Sequence, residues 1–262
     1  MLILLGPDFA GTNEAYERLA SATGLSAYDL RARLRPGTWG VVKALADAAQ
    51  AEALVSQLGL AGFAAKLVDS AVANDSDRRI VAAVAITLRD EGFVVQLRDR
   101  AVDVAYSAVA CVVRGEVQPG RSVEGVPSSS VSTTFRTPVP GAEPGVGHDT
   151  SALSVEAYQA ADLHFFTVSW VARLDARALD LVASELRVAA LDALVEELAQ
   201  RARVRVDRSA RTSSLASFAQ TLPRRASVEP PSGRDVRREQ PDLRFDSYSR
   251  LVGEAERRAR LT

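Results

Sequence analysis

Residues 1–73 alternate between short apolar runs and stretches in which apolar residues recur at helical spacing. The run LILL at residues 2–5 ends at a Gly-Pro-Asp turn, which predicts a short buried strand. Three helix starts follow, with Thr12, Ser26 and Asp47 as the predicted N-cap residues. The runs TWGVVKAL and FAAKLV predict two more strands, one on each side of the third helix. The predicted order of elements is therefore β-α-α-β-α-β.

After this unit the apolar pattern changes its period from helical to strand-like. Alternating runs separated by short polar turns predict an antiparallel meander up to residue 117. Residues 161–175 resume the alternation as one strand that includes His164. Because a helix that Ser184 could cap follows, residues 79–207 are predicted to form a β-rich domain with one helix.

Two segments are polar and rich in proline, and they lack a periodic apolar pattern. Residues 118–157 are predicted to be a disordered insertion and residues 208–243 a disordered linker, because this composition buries too little apolar surface to offset the ordering entropy. Residues 244–262 predict a terminal amphipathic helix that Ser247 caps. The predicted fold class is α+β, with a small β-α-α-β-α-β N-terminal domain and a mainly antiparallel β domain with a C-terminal helix, interrupted by a disordered linker.

The N-terminal features together resemble a known fold. A Gly-Leu-Ser helix start in ATGLSAYDLRARL, an AEAL helix and a glycine before the last strand make residues 1–69 similar to the C-terminal domain of the bacterial ribosomal stalk protein and to the Clp protease adaptor ClpS. The resemblance implies that shared fold. Those adaptors bind a substrate's amino terminus with an Asn-Asp-Asp type turn, and only Asp8 matches that turn here. The stalk domain binds translation factors through lysines on its second helix, where this chain has Arg31 and Arg33. The β-rich domain is similar to a pleckstrin-homology-like barrel in its order of elements.

Composition and charge narrow the class of protein. Hydrophobic residues make up 47% of the 262 residues and charged residues 25%, which is ordinary for a soluble globular protein. The net charge of -1 gives no overall basic field that would attract nucleic acid. The single cysteine, Cys111, excludes an intrachain disulfide and is predicted to be a buried small hydrophobe. The N-terminus lacks the basic segment of a signal peptide, and no run approaches the roughly 20 apolar residues that span a bilayer, so we expect a cytoplasmic protein.

Candidate catalytic and metal-binding residues are few. His164 lies in a predicted strand, where packing is its expected role, and His148 lies in the predicted insertion. The chain has no HExxH motif and no Cys/His spacing that is typical of a metal site. The loop GPDFAGT faintly suggests a phosphate-binding turn, but it lacks the G-x-G-x-x-G and G-K-[ST] patterns. We therefore predict no catalytic residue, no cofactor and no metal.

Two functional hypotheses remain. The first is a non-enzymatic protein-interaction or regulatory protein, an adaptor or scaffold, whose partner is another protein of unknown identity; both predicted folds commonly provide docking surfaces. The second is a nucleic-acid- or ribosome-associated protein, because residues 201–262 contain 15 arginines against 8 acidic residues. Acidic residues interrupt the arginine clusters and few aromatic residues are available for stacking, which favours a solvated linker over a nucleic-acid-binding tail.

The predicted partner-binding surface lies around the second helix. Tyr28, Arg31, Arg35 and Trp39 are close together in sequence there, and Tyr, Arg and Trp are common anchors of interfaces. The alternative is that Trp39 packs beneath the helix as part of the core and that the arginines are only solvated.

Overall fold

The structure is a computed structural model that describes residues 1–75, 78–118, 157–178, 186–222 and 243–259. The N-terminal unit has the β-α-α-β-α-β order that the sequence predicts. Its elements are β1 (Leu2–Leu5), α1 (Asn13–Thr23), α2 (Ala27–Arg33), β2 (Gly40–Ala44), α3 (Ala48–Leu60) and β3 (Ala65–Val68). The three strands form an antiparallel sheet in the order β2-β1-β3.

The three predicted helix starts are confirmed. The side chains of Thr12, Ser26 and Asp47 each accept a hydrogen bond from the backbone N–H three residues later, which satisfies one of the free donors at the start of each helix. Gly24 ends α1 in the left-handed conformation with φ of 69°, which a residue with a Cβ adopts only at a cost.

The central strand β1 is buried on both faces. Ile3 and Leu5 pack against α1, α2 and α3 on one side of the sheet. Leu2 and Leu4 face the opposite side and pack against helices from the end of the chain. This second buried face explains why β1 is a continuous apolar run instead of an alternating one.

A seven-stranded sheet forms the second unit. Its strands are β4 (Ile80–Leu88), β5 (Gly92–Leu97), β6 (Ala101–Ala105), β7 (Val109–Val117), β8 (Tyr158–Phe165), β9 (Val171–Asp175) and β10 (Val206–Asp207). The order in the sheet is β10-β7-β8-β9-β4-β5-β6, with parallel pairing only in β10–β7 and β4–β9. Strands from both sides of residues 119–156 therefore belong to one mainly antiparallel sheet, as the predicted fold class requires. Residues 119–156 of the predicted disordered insertion, which include His148, lie outside the described residues.

The prediction of one strand over residues 161–175 is wrong. The chain turns back on itself after Phe165, and β8 and β9 pair as an antiparallel hairpin. The turn contains no Gly, Pro, Asn or Asp, and Ser169 is the only residue in it that is common in turns, so the turn signal in the sequence is weak. The following helix, α4 (Arg187–Ala202), covers one face of the sheet, and the predicted cap Ser184 lies outside the described residues.

The predicted terminal helix is present as α6 (Leu243–Ala259), and it lies between the two sheets. All but one of residues 245–255 are buried, and Ser247 lies inside the helix instead of capping it. One side of α6 packs with Leu2 and Leu4 of the small sheet, and another packs with Val113 of the large sheet. The buried polar side chains of α6 are Asp246, Ser247, Ser249 and Glu254, and each contacts a polar group of another element.

The predicted disordered linker over residues 208–243 is also wrong in part. Residues 208–222 are described and contain a short helix, α5 (Ser214–Ala219), whose Leu215 is fully buried next to α6. Residues 223–242 lie outside the described residues.

The same substitution, glycine to alanine, is expected to have opposite effects on stability at two helical positions. A Cβ at Gly253 of α6 would lie 2.2 Å from Nδ1 of His164, whose ring is buried. Gly253→Ala is therefore expected to destabilise the protein by about 1–2 kcal/mol, although alanine favours helix. The matched control is Gly59→Ala in α3, where a Cβ meets no atom within 4 Å, and we expect a gain of about 0.5 kcal/mol. Urea unfolding compares the two variants, and a Gly253→Ala protein as stable as Gly59→Ala would contradict the packing.

Candidate functional site

A buried cluster of charges joins α6 to the large sheet. Arg173 on β9 donates from Nε and Nη2 to the two carboxylate oxygens of Asp162 on β8, at 2.7 and 2.8 Å. Its Nη2 also lies 2.7 Å from Oδ1 of Asp246 on α6 and forms an ion pair with it. Burial alone would lower the pKa of Arg173, yet the two carboxylates raise it above its ordinary value. Burial raises the pKa of Asp246, and Arg173 opposes that shift.

A serine–histidine contact lies in the same interface. Nε2 of His164 is 2.8 Å from Oγ of Ser249, which is within the reach of a nucleophile and its base. Burial lowers the pKa of His164 to about 4, against an ordinary value of 6.5, so the ring is neutral at pH 7. Both side chains are almost fully buried, and neither lines a depression described below. The contact therefore lies inside the interface between α6 and the large sheet.

A third polar contact is built around Asp207. Its Oδ1 accepts hydrogen bonds from the Tyr248 hydroxyl at 2.9 Å and from the backbone and side chain of Ser209 at 2.7 and 2.9 Å. Burial raises the pKa of Tyr248 well above its ordinary value, and the charge on Asp207 adds to that shift. These contacts fix the position of α6 and leave no exposed reactive group.

The concave feature best suited to a ligand is a cleft of about 410 Å³ where β1 ends. It opens between the loop after β1, the start of β3 and the last turn of α6. Its aromatic lining consists of Phe9, Phe63 and Trp39. The charged residues that line it are Asp8, Arg18, Lys66 and Glu256. Apolar and polar groups line the cleft in nearly equal measure, and a concave site that combines aromatic side chains with polar groups can bind a ligand.

An aromatic row connects this cleft to the predicted surface on α2. The Phe9 ring lies 5.1 Å from the Tyr16 ring in an edge-on arrangement and 6.2 Å from the Phe63 ring. Two guanidinium groups flank the row, with Arg31 5.6 Å from the Tyr16 ring and Arg18 5.4 Å from the Phe63 ring. The row joins the cleft to α2 through the core, because the Tyr16 and Phe63 side chains are buried.

The structure separates the four predicted surface residues. Tyr28 is 79% exposed, and Arg35 is exposed at the end of α2. Arg31 is partly exposed but is paired with Glu17 at 3.1 Å. Trp39 is 2% exposed, so its prediction as a surface residue is wrong. Trp39 directly precedes β2. Its side chain packs in the core that this sheet shares with α5 and α6.

Trp39 nevertheless contributes to the cleft, because part of its ring lines the wall and contacts the position of Gly6. Its indole Nε1 is buried and has no hydrogen-bond acceptor among the described residues. Asp8 in the same loop pairs with Arg205 at 2.5 Å. The loop therefore presents a carboxylate at the position where a phosphate-binding loop would present hydrogen-bond donors. The faint phosphate-loop pattern in GPDFAGT thus corresponds to a wall of the cleft.

Sequence analysis did not identify Phe9, Phe63 or Arg18 as members of one site. Phe9 and Phe63 each follow a turn, whereas Arg18 lies in the middle of α1, and no motif spacing connects the three. The one local sequence signal is the glycine at position 62, which directly precedes Phe63 and is typical of a turn. In the structure Gly62 has a φ of 83°.

The described arginines of the basic tail are largely neutralised. Five of them form ion pairs with acidic side chains: Arg201 with Glu197, Arg205 with Asp8, Arg208 with Glu196, Arg211 with Glu116 and Arg258 with Glu254. On α6, Arg250 and Arg257 donate to backbone carbonyls of the neighbouring segments. These arginines stabilise the fold and do not form an open basic face.

Within the described ranges, no group of three or more His, Cys, Asp or Glu side chains is arranged to hold a metal ion. Cys111 is buried as predicted. None of the helices in those ranges is both long and apolar enough to cross a bilayer. No family model matches the chain, and neither the curated proteins nor the solved structures contain a significant match.

Proposed function

We propose that the chain is a non-enzymatic protein-interaction module, an adaptor or scaffold of the cytoplasm, and that its partner docks at the cleft where β1 ends. The observation that carries this proposal is the aromatic lining of Phe9, Phe63 and Trp39 with a charged rim. Aromatic and arginine side chains around a concave apolar site are typical of interface anchors. His164 and Ser249 have the contact distance of a nucleophile and its base. Because both are buried, we do not assign them a catalytic role, and this supports a binding role for the protein.

The alternative, a nucleic-acid- or ribosome-associated protein, depends on the Arg-rich C-terminal tail, residues 201–262. Nearer the cleft, Arg205 and Arg208 are engaged in ion pairs and offer little free charge to phosphates. Nuclease treatment would abolish the capture of partners that bind through nucleic acid, whereas it would leave the capture of direct protein partners unchanged.

The proposal is tested by affinity capture from native lysate with and without nuclease. Ala64 is exposed and lines the cleft, so Ala64→Glu places a charge at the apolar site with little effect on stability. We expect nuclease-resistant capture of specific proteins, with recovery reduced about tenfold by Ala64→Glu because burying an unpaired charge costs more than 1.4 kcal/mol. The control is Ala82→Glu, an equally exposed alanine on β4. Capture that nuclease abolishes would favour the alternative, and equal recovery by both variants would contradict docking at the cleft.

A further inference from the structure

The cleft adjoins a second, shallower depression on the outer side of α1 and α3. This groove is lined by Ser21, Ala22, Gln57, Leu60 and Ala61, and Arg18 lines both the groove and the cleft. Arg18 is thus the side chain at which the two depressions meet.

Arg18 differs from the neighbouring arginines in its pairing. Arg31 pairs with Glu17, and Arg205 pairs with Asp8. Arg18 is exposed, and its guanidinium lies over the ring of Phe63; it has no carboxylate partner among the described residues. Stacking on an aromatic ring limits the motion of a guanidinium while leaving its edge free to bind a carboxylate in a bidentate manner.

An apolar side chain stands on the other side of Arg18. Leu60, the last residue of α3, is 93% exposed and contributes almost nothing to the core. The surface therefore presents an aromatic cleft, a free cation and a protruding leucine in that order. The charged residues that line the cleft are two acids, Asp8 and Glu256, and two cations, Arg18 and Lys66. Because Asp8 already pairs with Arg205, it does not neutralise Arg18.

We propose that this surface binds a protein segment in which an aspartate or glutamate lies between two apolar residues. The carboxylate pairs with Arg18, one apolar side chain enters the cleft against Phe63, and the other packs on Leu60 and Ala22. This inference rests on the proposed function and adds the chemistry of the ligand to it.

The probe is a surface-displayed library of short random peptides, selected against the full chain. We expect the enriched sequences to carry Asp or Glu between apolar residues. The affinity of an enriched peptide should fall at least about tenfold for Arg18→Glu, since reversing the charge replaces an attraction by a repulsion. Arg18→Lys should lose part of the affinity because lysine keeps the charge but lacks the planar fork, and Leu60→Ser should weaken binding several-fold.

Two matched variants control for charge and for loss of apolar surface. Arg33→Glu reverses an exposed arginine on α2, and Val188→Ser removes an exposed apolar side chain on α4; neither residue lines a depression, and neither change should alter binding. All of the replaced side chains are exposed, so melting temperatures should stay close to the wild-type value.

Absence of any enriched peptide, enrichment of sequences without an acidic residue, or equal affinity of wild type and Arg18→Glu would overturn the inference. Its failure is distinguishable from failure of the proposed function. If Ala64→Glu abolishes capture from lysate and Arg18→Glu does not, the cleft is the docking site and only the acidic character of the ligand is wrong.

Discussion

Replacing Arg173 by alanine is expected to lower the free energy of unfolding by about 3–5 kcal/mol, which is a large part of the stability of an ordinary domain. The variant leaves Asp162, which has no exposed surface, and Asp246, which is 4% exposed, without their shared cation. Two carboxylates close together in the interior repel each other, and neither can be solvated. Urea unfolding followed by tryptophan fluorescence measures the loss.

Two further variants separate charge from packing. Arg173→Lys keeps the charge but cannot make two parallel hydrogen bonds to Asp162, so we expect an intermediate loss. The triple variant Arg173→Met, Asp162→Leu, Asp246→Leu removes all three charges and should regain most of the stability, because a buried ion cluster is often replaceable by apolar residues. An Arg173→Ala protein within about 1 kcal/mol of wild type would show that the cluster is not desolvated.

Acidification from pH 6.5 to pH 4 is expected to lower the free energy of unfolding by about 3 kcal/mol through His164 alone. The native pKa is about 4, whereas the unfolded chain takes up the proton near the ordinary value of 6.5. Below pH 6.5 the unfolded state therefore binds a proton that the native state does not, so stability falls as the pH falls. Above pH 6.5 both states are neutral at this residue, and the contribution is constant.

Several charged groups face the His164 ring, and they do not act alike. They are Asp162 on β8, Arg173 on β9, Arg257 on α6 and Arg78 before β4. The arginines disfavour the imidazolium and Asp162 favours it, but burial is the largest cause of the low pKa.

Two carboxylates on α6 also contribute to the profile. Burial raises the pKa of Asp246, so its protonation offsets part of the loss of stability at low pH. Burial would raise the pKa of Glu254 too, but its hydrogen bonds to Arg78 and Arg258 lower it, so its protonation adds to the loss of stability. His164→Gln keeps a polar group near Ser249 and removes the titration. A variant whose stability falls as steeply as that of wild type between pH 6.5 and pH 4 would contradict the role of His164.

The local features of the N-terminal unit were predictable because each depends on neighbours in sequence. The capping side chain of Thr12 needs only the backbone N–H of Ala15, and Gly24 needs only its own conformational freedom. The small sheet is predicted correctly for the same reason, since its strands are short apolar runs between strong turn signals.

The position of α6 was not predictable from its own pattern. Asp246 and Ser249 read as members of a solvated face, whereas their partners Arg173 and His164 lie far away in sequence. The same limit applies to the candidate site, because Phe9, Phe63 and Arg18 meet only after the sheet has formed. The environment of a polar side chain in the interior depends on long-range contacts, which residue spacing does not encode.

The insertion of α6 between the sheets also gives the molecule a high contact order. Arg258 donates to the carbonyl of Leu67 across a separation of 191 positions, and Ser247 to that of Ala73 across 174. Contacts between such distant parts of a chain require the closure of long loops, which slows folding relative to proteins built from local contacts. Until α6 is in place, Leu2 and Leu4 on one sheet and Val113 on the other are open to solvent, so the interval before its docking is the time at which this chain is most exposed to aggregation.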